Sequence, residues 1–423
     1  MKIVIIGVGS HVFAPGVIMD FMTEIDTEGC TLALVDLDSN NLELMKSYAE
    51  RLALDEGRSV MIETSMDWQQ VLPGADYVIS CAAIQGHRRW LMDYHFLKER
   101  KLDQGYSGEC GGLSGLMYAL RSIHLLMDIA RSMEIYCPDA LLLNVTNPLP
   151  RVTFAVNAFT KIACYGFCNA AHQGATGYEL LAQTVGRRVD EIDVVTAGLN
   201  HFAWLLSIHD RRTQEDLMPG IIDYTRTSQA DPDLRYLFEE YEAIGVSGAS
   251  HMCDYLSKQK VRNHFTLDVA PFHGSEQVRQ ARVDLLSAIA RGRVDWRQNG
   301  PAHAWEKPIK LIKARELKAT LHMDMLNLQN RGYVSNLPES HIVEVPARIV
   351  EGLIQGVAVG HLPEKVATIC RQISDTHVML AKGAVYQDRE LIKAAAKMDP
   401  SVGLVDSSTL DVMLDLQQDI TGY

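Results

Sequence analysis

Basic residues are in deficit in this chain, with 40 Lys and Arg against 53 Asp and Glu and a net charge of −13. Recognition of a polyphosphate backbone concentrates Lys and Arg into patches or stripes, so nucleic acid is excluded as the main partner. Long apolar runs are also missing. The opening MKIVIIGVGS runs into glycines well short of the roughly 18 residues that a membrane span needs. It reads as a buried strand, and nothing else in the chain resembles a signal peptide or a span. The eight cysteines (Cys30, Cys81, Cys110, Cys137, Cys164, Cys168, Cys253 and Cys370) contain no C-x-x-C pair. Scattered thiols without a leader imply a reduced, cytoplasmic setting, and a thiol that is not oxidised stays available as a metal ligand.

What is present is ordinary globular material, 47% hydrophobic and 22% charged over 423 residues. That length exceeds one core and fits two domains. Up to about residue 150, β-rich apolar runs alternate with helical segments, the pattern of βαβ units on a parallel sheet. Strands are expected at Lys2 to Ile6, Leu32 to Val35, Tyr77 to Ser80 and Leu141 to Val145. Helices are expected at Pro15 to Met22, Leu42 to Leu54 and Leu116 to Glu134. The fold class is therefore α/β, a Rossmann-like doubly wound sheet over residues 1–165, followed by a mixed α+β domain over 166–423. In that second part Val194 to Thr196 and Phe202 to Ile208 read as strands, and Leu317 to Arg331 as a helix.

Gly7, Gly9 and Ser10 follow the first strand, where glycines allow a tight turn and let backbone N–H groups approach a pyrophosphate. The third glycine of the usual fingerprint is missing, since position 12 is Val. Asp36 ends the second strand and is placed to accept from ribose hydroxyls, which favours NAD over NADP. A structural turn beside a surface Asp is the competing reading. Asp38 suits a helix N-terminus.

Two later segments, Tyr165-Gly166-Phe167-Cys168-Asn169 and Gly198-Leu199-Asn200-His201-Phe202, say little alone. A Cys in an apolar strand and a His beside aromatics are commonly core residues. Taken in order with Gly7 to Ser10, Gly108 to Gly112, Met117 to Ile123, Thr146-Asn147-Pro148 and His251-x-x-Asp254-Tyr255-Leu256, they resemble glycoside hydrolase family 4 over roughly residues 1 to 260. The final third carries no matching motif.

The resemblance implies a glycosidase that departs from the usual two-carboxylate route. NAD takes hydride from C3 of the sugar, a base removes the C2 proton, the leaving group is eliminated, water adds and the hydride returns. The fold implied is similar to that of lactate and malate dehydrogenases. Cys168 and His201 would hold a divalent ion, Mn by resemblance, although a thiolate and imidazole pair suits several borderline metals. Asn147, Asn169, Arg89 and Glu109 would contact sugar. Tyr255 is the first candidate for the C2 base, with Asp254 and His251 as neighbours able to share the role. Phosphosugar members place an acid after the metal Cys. Here Asn169 stands there and cannot donate a proton as an acid, which leaves His172 as one substitute. Arg88 and Arg89 would suit an anionic substrate or a solvated basic pair equally. The substrate implied is a small α-glycoside such as a glucoside, galactoside or galacturonide, and the assembly a homodimer or homotetramer. The alternative is an NAD-dependent dehydrogenase of a sugar or 2-hydroxy acid, which would have no need of the Cys168 and His201 pair.

Overall fold

The structure, a computed structural model, describes residues 1–102, 110–168, 170, 177–265, 276–301, 303–304 and 306–421. Its first six strands are β1 (Lys2–Ile6), β2 (Cys30–Val35), β3 (Val60–Ser65), β4 (Tyr77–Ser80), β5 (Leu141–Asn144) and β6 (Cys164–Gly166). They lie in the order β3-β2-β1-β4-β5-β6 and are all parallel. Alternate residues of one strand enter different cores, because side chains on a strand point to opposite faces. Ile3 and Ile5 pack with Val17, Ile18 and Phe21 of helix Ala14–Glu24 and with Met45 and Tyr48 of helix Ser39–Asp55. Val4 and Ile6 pack with Leu116, Met117 and Leu120 of helix Gly112–Tyr136. Each such side chain taken out of water contributes about 1.5–3 kcal/mol, so a sheet covered on both faces needs the continuous apolar strands seen in the sequence. The doubly wound α/β arrangement expected from the sequence is thus the one observed.

The remaining strands are β7 (Ile192–Leu199), β8 (Phe202–Asp210), β9 (Ile244–Gly245), β10 (Leu321–Gln329), β11 (Ile342–Val350) and β12 (Leu353–Gly356). They continue the same sheet as β6-β10-β11-β7-β8-β9, with β12 on β11, and every pairing in this half is antiparallel. Strand β6 is the seam, parallel to β5 and antiparallel to β10.

The helix expected at Leu317 to Arg331 is corrected by β10. Leu and Met favour helix in isolation, but here Met323 and Met325 are buried while His322 and Asp324 are exposed. That is the period of a strand, and ladder pairing to β6 and β11 satisfies its backbone. Among the described residues no helix is long and apolar enough to cross a membrane.

Candidate active site

Two adjoining features make up the site, a glycine-lined cleft at the carboxyl ends of the parallel strands and a buried cluster of donor side chains. The cleft encloses about 690 Å³ and is lined by Gly7, Gly9, Ser10, Asp36, Asn147 and Arg282 among others. Gly7 adopts φ +90°, and a Cβ there would fall 2.5 Å from the Cα of Ala82. Only glycine lets β1 turn beneath the neighbouring chain at this point. The Gly9 N–H donates to Asp36 Oδ2 at 2.6 Å and the Asp38 N–H to Asp36 Oδ1 at 3.0 Å, which fixes the carboxylate at the cleft wall. Asp38 accepts from the N–H groups of Asn40 and Asn41 as the N-cap of the next helix, the role expected of it. Asn147 reaches the opposite wall, its Oδ1 accepting from the Leu149 N–H at 3.2 Å.

The donor cluster joins three separate segments. His201 occupies the β7–β8 turn with φ +66° and is 2% exposed. Its Nδ1 lies 3.4 Å from Asp254 Oδ2, and that same oxygen accepts from the Cys110 N–H at 3.3 Å. One ligand atom each from Cys110, His201 and Asp254 lies within 4.8 Å of the others, and all three residues are buried. The His251 ring crosses that of His201 edge to face with centroids 4.3 Å apart. Burial lowers His201 to about 3 and His251 to about 3, so both imidazoles are neutral and keep a lone pair to share. Gly111 makes the assembly possible, since a Cβ there would sit 1.7 Å from the Asp254 carbonyl oxygen.

Cys168 is not one of these three. Its thiol lies against the Asn200 side chain in the field of Glu344, and burial, followed by that carboxylate, pushes its pKa up. Glu306 raises the pKa of Cys81 in the cleft lining and also, as a minor contribution, that of Cys168.

Tyr255 is packed between Phe202 and His377, with centroid separations of 5.6 and 5.8 Å. Its hydroxyl is buried without a hydrogen-bond partner among the described residues, and burial holds its pKa well above the usual value. Arg89 is not among the residues that line the cleft. Its guanidinium is buried in an ion pair with Asp419 and donates to Gln85 Oε1 at 3.2 Å. The pair joins it to the C-terminal helix Gln418–Thr421. Arg88 is exposed. Glu109, Asn169 and His172 lie outside the described residues.

The sequence reading therefore identified Gly7, Gly9, Ser10, Asp36, Asn147, His201, His251 and Asp254 as site residues, and the structure brings these to the cleft or the cluster. It gave no role to Cys110, Glu306, Asn327 or Glu344. The Gly-Glu-Cys-Gly-Gly run offered a signal for Cys110, and the other three have none in their local sequence.

A doubly wound sheet with a dinucleotide-type cleft and a buried thiol, imidazole and carboxyl group beside it is the framework of an α/β enzyme. Sequence supplies the family. Residues 2–185 match the family 4 glycosyl hydrolases and residues 196–402 the family 4 glycosyl hydrolase C-terminal domain. The chain belongs to family 4 of the glycosyl hydrolases. It is 28% identical over 417 residues to an alpha-galactosidase of Bacillus subtilis (strain 168), covering 94% of this chain and 93% of that one. An alpha-galactosidase of Rhizobium meliloti (strain 1021) is 25% identical over 425 residues, covering 96% and 84%. In structure it resembles the 6-phospho-beta glucosidase of Thermotoga maritima, solved with manganese, NAD+ and glucose-6-phosphate. That match has a TM-score of 0.80 at 17% identity and covers 100% of this chain and 99% of the other.

Proposed function

We propose that this family 4 glycosidase cleaves a small α-glycoside, with an α-galactoside as the first candidate, using NAD+ in the cleft and a Mn-like divalent ion at His201. The observation that carries the reading is the gathering of Cys110, His201 and Asp254 within 4.8 Å, buried beside a cleft whose turn needs glycine. A sulfur, nitrogen and oxygen donor set of this kind suits a borderline divalent ion. The neutral His201 needs no deprotonation to bind, and a thiol raised by burial becomes a ligand only where a cation offsets the field around it. Cys168, in the position of the family's metal thiol, and Cys110, in the geometric cluster, are the two sulfurs that compete for the role.

When bound, NAD+ supplies a hydride acceptor for a sugar carbinol, and the ion supplies a Lewis acid for the adjacent hydroxyl oxygens. The chain does the rest. Gly7, Gly9 and Ser10 present backbone to a pyrophosphate, and Asp36 holds ribose hydroxyls. Asn147 offers an amide that both donates and accepts, which is what a sugar hydroxyl requires. His251, uncharged and with an Nδ1 that has no partner among the described residues, and Asp254 stand next to His201 as acceptors for the C2 proton, with Tyr255 behind them. The substrate charge is read as neutral, because Arg89 is occupied by Asp419.

The test is hydrolysis of aryl α- and β-glycosides, neutral, uronic and 6-phosphorylated, with and without NAD+, Mn2+ and reductant. Cleavage of an α-galactoside that needs all three additions supports the reading. Cleavage indifferent to NAD+ ends it, and NADH formation from free sugars without hydrolysis favours a dehydrogenase.

A further inference from the structure

Two of the most buried polar residues in the chain lie outside any motif. Asn327 on β10 is 0% exposed and Glu344 on β11 is 1% exposed. They face each other across the ladder, Asn327 also pairs with Gly166 of β6, and Glu344 pairs with Gly198 of β7. One row of the sheet therefore runs Gly166, Asn327, Glu344, Gly198. Each end residue begins a segment that leads to a site residue, Cys168 two positions beyond Gly166 and His201 three beyond Gly198. Directly opposed residues on a sheet have their Cβ atoms about 4.5–5.5 Å apart, and the bare Gly166 leaves room for the Asn327 side chain beside it. A Cβ on Gly166 would lie 2.9 Å from the Cβ of Asn327.

Within that space the side chains close on one atom. Glu344 Oε2 accepts from Asn327 Nδ2–H at 2.8 Å and from Asn200 Nδ2–H at 3.0 Å. Asn200 is fully buried, precedes His201 and interacts with the Cys168 thiol. A single carboxylate oxygen thus ties the turn that carries His201 to the strand beside Cys168. Burial alone raises the Glu344 carboxyl to about 7, with both amides opposing the shift. Its Oε1 and both amide oxygens are buried without hydrogen-bond partners among the described residues. A buried polar group in that state is costly to keep, and nothing in β10 or β11 needs it for pairing.

We infer that Glu344 and Asn327 are positioning residues, which fix the turn that carries His201 against the strand beside Cys168 and so hold the imidazole where a divalent ion requires it. The inference rests on the metal reading proposed above. Partners of this kind orient ligands without touching the ion. The required feature is an acceptor oxygen for two amide donors, which an amide at position 344 also supplies.

The experiment measures Mn2+ affinity by electron paramagnetic resonance of the free ion and NAD+ affinity by fluorescence. It compares the wild-type chain with Asn327→Ala, Glu344→Leu, Glu344→Gln and His201→Ala. Asn327→Ala and Glu344→Leu are expected to weaken Mn2+ binding by about 10- to 100-fold, with NAD+ affinity changed by less than about twofold and Glu344→Gln within about threefold of wild type. Unchanged Mn2+ affinity in Asn327→Ala and Glu344→Leu overturns the inference, as does a Gln variant no better than the Leu variant. Equal loss of NAD+ and Mn2+ binding overturns it too, by marking a general structural role. Should Glu344→Leu fail to fold, Asn327→Ala and Glu344→Gln decide alone. A wild-type chain whose Mn2+ binding is absent or insensitive to His201→Ala overturns the metal reading itself and the inference with it.

Discussion

The two halves of the sheet carry the site in different ways. In the parallel half, the cleft residues follow directly from their own strands: Gly7 and Gly9 from β1, Asp36 from β2 and Asn147 from β5. The donor cluster instead spans both halves, with Cys110 just ahead of helix Gly112–Tyr136 and His201 and Asp254 from the second half, where Asn327 and Glu344 of the antiparallel strands hold the residue before His201. A parallel strand delivers its carboxyl end to the crevice by topology alone. An antiparallel one must be held in register by partners far away in the chain, so a fault there spreads further.

The largest expected effect is at His201, the one residue common to the Cys168 and Cys110 readings of the metal site. His201→Ala should lower kcat/KM by at least about 10³-fold, or about 4 kcal/mol, in an assay with saturating Mn2+. Cys168→Ser and Cys110→Ser, compared by Mn2+ titration, then show which sulfur binds. Residual activity within tenfold of wild type in His201→Ala would remove the cluster from the chemistry.

On the cleft side, Asp36→Ala should weaken NAD+ binding by about tenfold, the loss of a charge-assisted hydrogen bond worth about 1.5 kcal/mol, while Mn2+ affinity holds. A parallel fall in both affinities would mean that the halves are less independent than the comparison claims.

A smaller effect belongs to the packing between the halves. His377 is buried, with Arg151, His341 and Tyr255 around it, and burial holds its pKa well below 6.5. An imidazole whose folded pKa is depressed stabilises the fold fully above 6.5, and that contribution is lost as pH falls below it. Urea midpoints between pH 6.5 and 4.5 should therefore fall less steeply in His377→Leu than in wild type, by up to about 1.4 kcal/mol per pH unit. Identical slopes would show that His377 does not titrate on unfolding.

The smallest effect is predicted at Arg89. With its guanidinium committed to Asp419, Arg89→Ala should leave KM for a neutral glycoside within about twofold and cost about 1 kcal/mol of stability or more, since the pair is partly buried. A large rise in KM would return Arg89 to the sugar.

The parallel half was almost fully legible. The run Tyr77 to Ser80 is β4 residue for residue, because each strand there is a contiguous apolar segment buried on both faces. The exceptions are β6, only three residues long, and β3, which sits on the sheet edge with three of its six residues half-buried and two exposed, so neither shows an apolar run to read. The order of motifs located His201 and Asp254, while β10 was misread because its Leu and Met content favours helix until pairing partners are known. Asn327 and Glu344 were illegible for a related reason. Their meaning lies in a row across four strands whose neighbours are far apart in the chain, 166 beside 327 at 161 positions and 344 beside 198 at 146.

One backbone ladder runs from β3 through β6 and β10 to β9 without a break. Opening such a molecule like a clam between its parallel and antiparallel halves would mean pulling β6 from β10, where Gly166 pairs with Asn327, and drawing Cys110 away from His201 and Asp254. The distance between what the cleft holds and what the cluster holds is consequently set when the chain folds, and ligand exchange has to proceed through loops above a rigid floor.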